Sequence, residues 1–135
     1  MEKVSVDHLT ALGNKVDGSL TAAQLETFAK PKHVDEVVFT SHEVGALCPV
    51  TEQPDLYTVI ITYEPDEVCV ESKTLKLYLT TFRNTGIFGE AIAATIADDL
   101  FNALKPHYIK VEARQQIRGG LQMTTFASRG GIFDE

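Results

Sequence analysis

The run Tyr57-Thr58-Val59-Ile60-Ile61-Thr62-Tyr63 constrains the fold more than any other stretch of the chain. Every residue in it is β-branched or aromatic, side chains that crowd a helix and fit a pleated surface, so the run predicts a strand. Pro65 and Asp66 turn the chain, and Val68-Cys69-Val70 extends it briefly. At Ser72 the hydrophobic period changes from two to nearly four. Leu75, Tyr78, Leu79 and Phe82 recur at intervals of three and four, which builds one apolar helical face. Lys73, Lys76, Thr80 and Arg83 occupy the rest of the circumference, and Asn84 and Gly86 end the helix.

A second helix is predicted from about Phe88 to Lys105, with Ile92, Ile96, Leu100 and Leu104 spaced by four and Pro106 stopping it. Tyr108 to Ile117 alternates as a half-buried strand, Gly119-Gly120 turns, and Leu121 to Phe126 returns as a hairpin partner. Before all this, Val34 to Phe39 reads as a strand leading into a loop. The first thirty residues read as a weakly structured extension, broken by Asn14, Gly18 and Ser19, in which Thr21 to Phe28 forms a short helix or drapes over the body. The order ββααββ predicts one α+β domain over residues 31–135. Its simplest packing is a four-stranded antiparallel sheet with two helices on one face. So small a sheet leaves edges and a face to cover, which predicts closure by homo-oligomerisation.

Composition narrows the function. A formal net charge of −7 argues against a broad basic surface for nucleic acid. No stretch has the length of a membrane span or the apolar core of a signal peptide, so a cytoplasmic location is expected. Two cysteines without CxxC spacing suggest neither a disulfide framework nor structural zinc. His8, His33, His42 and His107 show no metal-binding spacing, and no metal is assigned.

Four constellations have chemical potential. Leu47-Cys48-Pro49-Val50-Thr51-Glu52-Gln53-Pro54-Asp55 sets a thiol in a proline-shaped loop with a carboxylate seven residues later: a nucleophile and a proton carrier, or else a buried thiol beside a surface turn. Glu71-Ser72-Lys73-Thr74-Leu75-Lys76 opens the first helix with two lysines on similar sides, suited to phosphate or simply solvated. Glu90, in the opening turn of the second helix, offers two acceptor oxygens to a purine-like base, or merely complements the helix dipole. Arg118-Gly119-Gly120 places an arginine beside a flexible turn where it could grip a phosphate, or is an ordinary hairpin turn.

Taken together, the Cys48–Asp55 run, Glu71-Ser72-Lys73-Thr74-Leu75-Lys76-Leu77-Tyr78-Leu79, Phe82-Arg83-Asn84 and Arg118-Gly119-Gly120 resemble the NADPH-dependent 7-cyano-7-deazaguanine reductases, the nitrile reductases of queuosine biosynthesis, in their short, single-module form. The resemblance covers about residues 24–127. It implies the tunnelling fold, related to GTP cyclohydrolase I, whose subunits assemble into oligomeric barrels with active sites between subunits. It implies Cys48 as the nucleophile that forms a covalent thioimide with the substrate nitrile, and Asp55 as the acid that protonates the nitrile nitrogen. Reduction would consume two NADPH. Ser72, Lys73, Lys76, Arg118 and Gly119 would hold the cofactor, and Glu90 would anchor the deazapurine with Val70, Glu71, Ser72 and Gly89 around it.

Two departures stand out. Family members have histidine immediately before that glutamate, where this chain has Gly89, and glycine is common where this chain has Glu52. His42, another side chain or water would have to take the place of the imidazole. Two other functions keep the thiol and the acid: a nitrile amidinotransferase-like enzyme, and a noncatalytic deazapurine-binding homologue. The lysine-bearing segment favours the reductase.

Overall fold

The computed structural model describes residues 24–133. Strands β1 (Thr27–Ala29), β2 (Val37–Leu47), β3 (Pro54–Glu64) and β4 (Val68–Val70) precede helices α1 (Ser72–Thr80) and α2 (Gly89–Leu104), and β5 (Tyr108–Gln115) and β6 (Thr124–Gly130) follow. Strands β2-β3-β5-β6 form the expected four-stranded antiparallel sheet, and β1 pairs with β4 in a small second sheet. Thr27–Ala29 is thus a strand, where a short helix or a draped segment was expected; residues 1–23 lie outside the described residues. Backbone pairing across Thr27–Val70, Phe28–Cys69 and Ala29–Val68 decides it.

Alternation along β3 buries Asp55, Tyr57, Val59, Ile61 and Tyr63 on one face, opposite Val44 and Ala46 of β2 and beside Ile109, Val111 and Ala113 of β5. The helices cover that face. Ile92, Ile96, Leu100 and Leu104 of α2 are all fully or nearly fully buried, each contributing about 1.5–3 kcal/mol of apolar burial. From α1, Leu75, Tyr78 and Leu79 complete the core, and Tyr78 Oη donates to Asp99 Oδ2 at 2.6 Å, tying the helices together. The opposite face and the hairpin ends leave Leu56, Ile117, Leu121 and Phe126 exposed.

Several boundaries differ from the sequence expectation, three of them with a clear physical reason. Strand β2 continues eight residues past Phe39, because a bulge between Ser41 and Val44 lets one extra residue pass without ending the pairing. Strand β3 begins at Pro54, so Pro54 and Asp55 belong to the strand and the loop shrinks to residues 48–53. Strand β6 starts at Thr124 instead of Leu121, since Arg118 and Leu121 close an isolated two-residue turn on Gly119 and Gly120, whose φ of 59° and 78° suit glycine. Among the described residues, no helix is long and apolar enough to cross a membrane.

Candidate active site

The β2–β3 hairpin builds the thiol and its acid. Leu47 pairs with Pro54, Cys48 N–H donates to Gln53 O at 2.9 Å, and Glu52 N–H returns to Cys48 O at 2.9 Å. Glu52 closes this loop at φ 60°, the left-handed region where glycine is free and other residues strain by about 1–2 kcal/mol. That is why glycine suits the position. Cys48 is partly exposed. Hydrogen bonds from the Thr51 side chain, then from the Thr51 and Val50 backbones, draw its thiol below the ordinary cysteine value; Arg118 adds a smaller pull and burial opposes.

Asp55 sits on the core-facing side of β3, 6% exposed, in an ion pair with Arg118 Nη1. Arg118 Nη2 lies 3.3 Å from Gln53 Oε1. The arginine expected to grip a phosphate is thus engaged with the acid of the hairpin in this chain.

The start of α2 reaches the same hairpin. Leu47 N–H donates to Thr85 O and Ile87 N–H donates to Leu47 O, a short parallel bridge that sets Gly86 beside Leu47. Gly89 and Glu90 follow within one turn, Gly89 buried and Glu90 exposed. Phe88 caps α2 without a side-chain hydrogen bond. Gly89 is packed from below: a Cβ there would fall 2.6 Å from Met123 Cε and 3.0 Å from Tyr57 Cε1. His42 does not reach this point. It is exposed on β2, with Nδ1 3.4 Å from the hydroxyl of Thr58, which alternates away from the face that carries Tyr57.

The second group of predicted residues begins toward the far end of β3 and runs back over its middle, beside Val59 and Ile61. Val70 N–H donates to Tyr63 Oη at 3.0 Å, and Tyr63 is eight residues beyond Asp55, about 26 Å along a strand. Glu71 is buried and caps α1, accepting from Lys73 N–H at 2.7 Å and Thr74 N–H at 2.9 Å. Ser72 and Lys76 line a groove of about 490 Å³ between α1 and β2, with Thr80 and Arg83 beside apolar Leu75 and Leu79. Cations and hydroxyls over an apolar floor are the donor set that a dinucleotide's phosphates and rings require, so these residues fit NADPH. Arg83 was visible in the sequence with Lys73 and Lys76 on the polar circumference of the first helix. Tyr57, by contrast, reads in sequence only as part of a strand, and no linear signal marks it as a site residue.

A thiol and a carboxylate on one hairpin, an acidic residue opening the facing helix and a four-stranded sheet under two helices define a tunnelling-fold unit with a candidate nucleophile. A solved structure described as the archaeosine synthase QueF-Like in the apo form shares this fold, with a TM-score of 0.70 over 75% of this chain and 99% of that one, at 22% identity. The protein-family model described as QueF-like protein matches residues 54–132. Proteins named NADPH-dependent 7-cyano-7-deazaguanine reductase are similar over most of the chain. That of Alkalilimnicola ehrlichii is 47% identical over 76% of this chain and 81% of its own length. That of Staphylococcus haemolyticus is 40% identical over 96% of this chain and 81% of its own. This chain belongs to the QueF-like family of NADPH-dependent 7-cyano-7-deazaguanine reductases.

Proposed function

We propose that this chain reduces the nitrile of 7-cyano-7-deazaguanine to the aminomethyl group, as an NADPH-dependent cytoplasmic oxidoreductase of queuosine biosynthesis, through a covalent thioimide on Cys48. The observation that carries the reading is the hairpin itself: a thiol with a lowered pKa and a buried carboxylate held by Arg118, in a chain whose relatives are named for this reaction. Cys48 Sγ bonds to the nitrile carbon, one C≡N π pair moves to nitrogen, and the proton given up by the thiol reaches that nitrogen by way of Asp55. Arg118 and Gln53 hold the carboxylate in place for that transfer. Glu90 is exposed at the mouth of the site, where its two oxygens accept from the guanine-like N–H groups. Two NADPH, each giving one hydride, would supply the four electrons that the reduction needs. Ser72 and Lys76, with Arg83 on the same groove wall, would hold the cofactor, and Lys73 would join them from the first turn of α1.

Asp55 and the Tyr63 that binds Val70 lie at opposite ends of β3, too far apart for one small substrate to touch both Asp55 and Val70. The working site is therefore composite in this reading, with the thiol half from one chain and the Val70–Lys76 half from a neighbour in a homo-oligomer.

The test is substrate-dependent NADPH oxidation followed at 340 nm, with Cys48→Ala as control. Oxidation of about two NADPH per nitrile is expected, and none with the variant. A thioimide absorbance that forms without any NADPH consumption would refute reduction, and turnover by Cys48→Ala would refute the covalent route.

A further inference from the structure

Three tyrosines are buried in the core, and two of them have partners: Tyr63 Oη accepts from Val70 N–H, and Tyr78 Oη donates to Asp99. The third does not. Tyr57 is 2% exposed and its Oη makes no hydrogen bond among the described residues. An unpaired buried hydroxyl is destabilising, a cost that phenylalanine of nearly the same shape would avoid. Its location supplies a reason. Tyr57 shares the core-facing side of β3 with Asp55, two residues earlier, and its Oη lies 3.3 Å from where a Cβ on residue 89 would stand. The tyrosine ring thus occupies, from the sheet side, the space that a side chain at position 89 would enter from the helix side. Burial, and then the nearby charges of Glu90 and Cys48, push the phenol pKa up, so the group stays protonated and acts as a donor. Met123, partly exposed, closes over the same point with its Cε 2.6 Å from that Cβ position, and an unbranched thioether can change rotamer to admit a ligand.

We propose that Tyr57 is a catalytic residue of this site, its Oη–H donating a hydrogen bond to the nitrile nitrogen as Cys48 Sγ bonds to the nitrile carbon. The assignment rests on the covalent reading above. The S–C bond forms, the π pair moves to nitrogen, and the thiol proton reaches that nitrogen through Asp55. Tyr57 keeps its own proton and stabilises the charge that develops there. In this chain a phenol from β3 takes the part that an imidazole at position 89 would otherwise play, and Gly89 is the residue that leaves room for it.

The experiment mixes full-length protein with 7-cyano-7-deazaguanine in a stopped-flow cell without NADPH and follows the thioimide absorbance. Tyr57→Phe keeps the ring and removes only the hydroxyl. It is expected to slow adduct formation by about ten- to a hundredfold, with apparent substrate affinity kept within about twofold. Adduct formation at the wild-type rate would overturn the assignment of Tyr57. No adduct in the wild type would overturn the covalent reading itself, so the two failures are distinguishable. A double-mutant cycle adds a second arm. Tyr57→Ala with Gly89→His should form adduct faster than Tyr57→Ala alone, while Gly89→His alone, driven against the ring, should be slower than wild type. A double variant no faster than Tyr57→Ala would also overturn the proposal.

Discussion

Cys48 and Cys69 carry the same side chain in opposite settings. Thr51 and the loop amides draw the Cys48 thiol down, whereas burial pushes the Cys69 thiol up against the weaker opposing pull of Tyr63. A lowered pKa enlarges the thiolate fraction at any pH below the ordinary cysteine value, and that fraction is lost as pH falls through the lowered pKa. Iodoacetamide should therefore label Cys48 first, with a rate midpoint at lower pH than a free cysteine shows, and spare Cys69. Thr51→Val removes the largest of the lowering effects, so the midpoint should move to higher pH. Mass spectrometry of the labelled peptides across a pH series measures both. Equal labelling of the two thiols would contradict the loop's role. Tyr57 is the other residue whose setting matters more than its type, being the buried tyrosine whose hydroxyl has no partner among the described residues.

At the scale of elements, caps and turns explain what periodicity does not. Glu71, singled out in the sequence for a ligand, binds two backbone N–H groups of α1 while buried. Glu71→Ala should cost about 1–2 kcal/mol of stability, read as a lowered midpoint in urea unfolding with the slope unchanged. Lys105 ends α2 at φ 47° and ψ 53°, in the left-handed region. Lys105→Gly should raise stability by up to about 1 kcal/mol in the same measurement, because glycine adopts that conformation without strain. Both helices, β3 and β5 were legible because each buries one face at a regular period. The second half of β2 was not. Thr40 to Leu47 holds few strong strand formers, and the bulge sets His42 and Glu43 both outward, so the alternation that would announce a strand is broken. Strand β1, three residues long, has no periodicity to read and exists through its pairing with β4.

For the whole molecule, the outer edges of β2 and β6, which pair with no further strand among the described residues beyond the Leu47–Gly86 bridge, and the exposed apolar side chains match the proposed oligomer. If the thiol half and the Val70–Lys76 half of each site come from different chains, two inactive variants should rescue each other. Cys48→Ala and Ser72→Trp, unfolded together and refolded as a mixture, should regain roughly a quarter of wild-type nitrile reduction, the share of sites that random mixing builds from two intact halves. Sedimentation should show assemblies larger than one chain. A fully active isolated monomer, or a mixture as inactive as its parts, would refute the composite site.

Sequence alone determined the ββααββ order, the antiparallel sheet under two helices and the thiol, carboxylate and lysine-bearing segments, because periodicity and motif spacing are linear properties that survive without coordinates. Only the tertiary structure decided that Arg118 pairs with Asp55, that Glu71 caps α1, and that Val70 and Cys48 stand at opposite ends of one strand. It also decided what lies against Gly89. The sequence marks that position as a missing side chain; packing fills it with Tyr57, thirty-two positions away in the chain, because strand alternation and the Leu47–Gly86 bridge bring the sheet face and the helix start to one point.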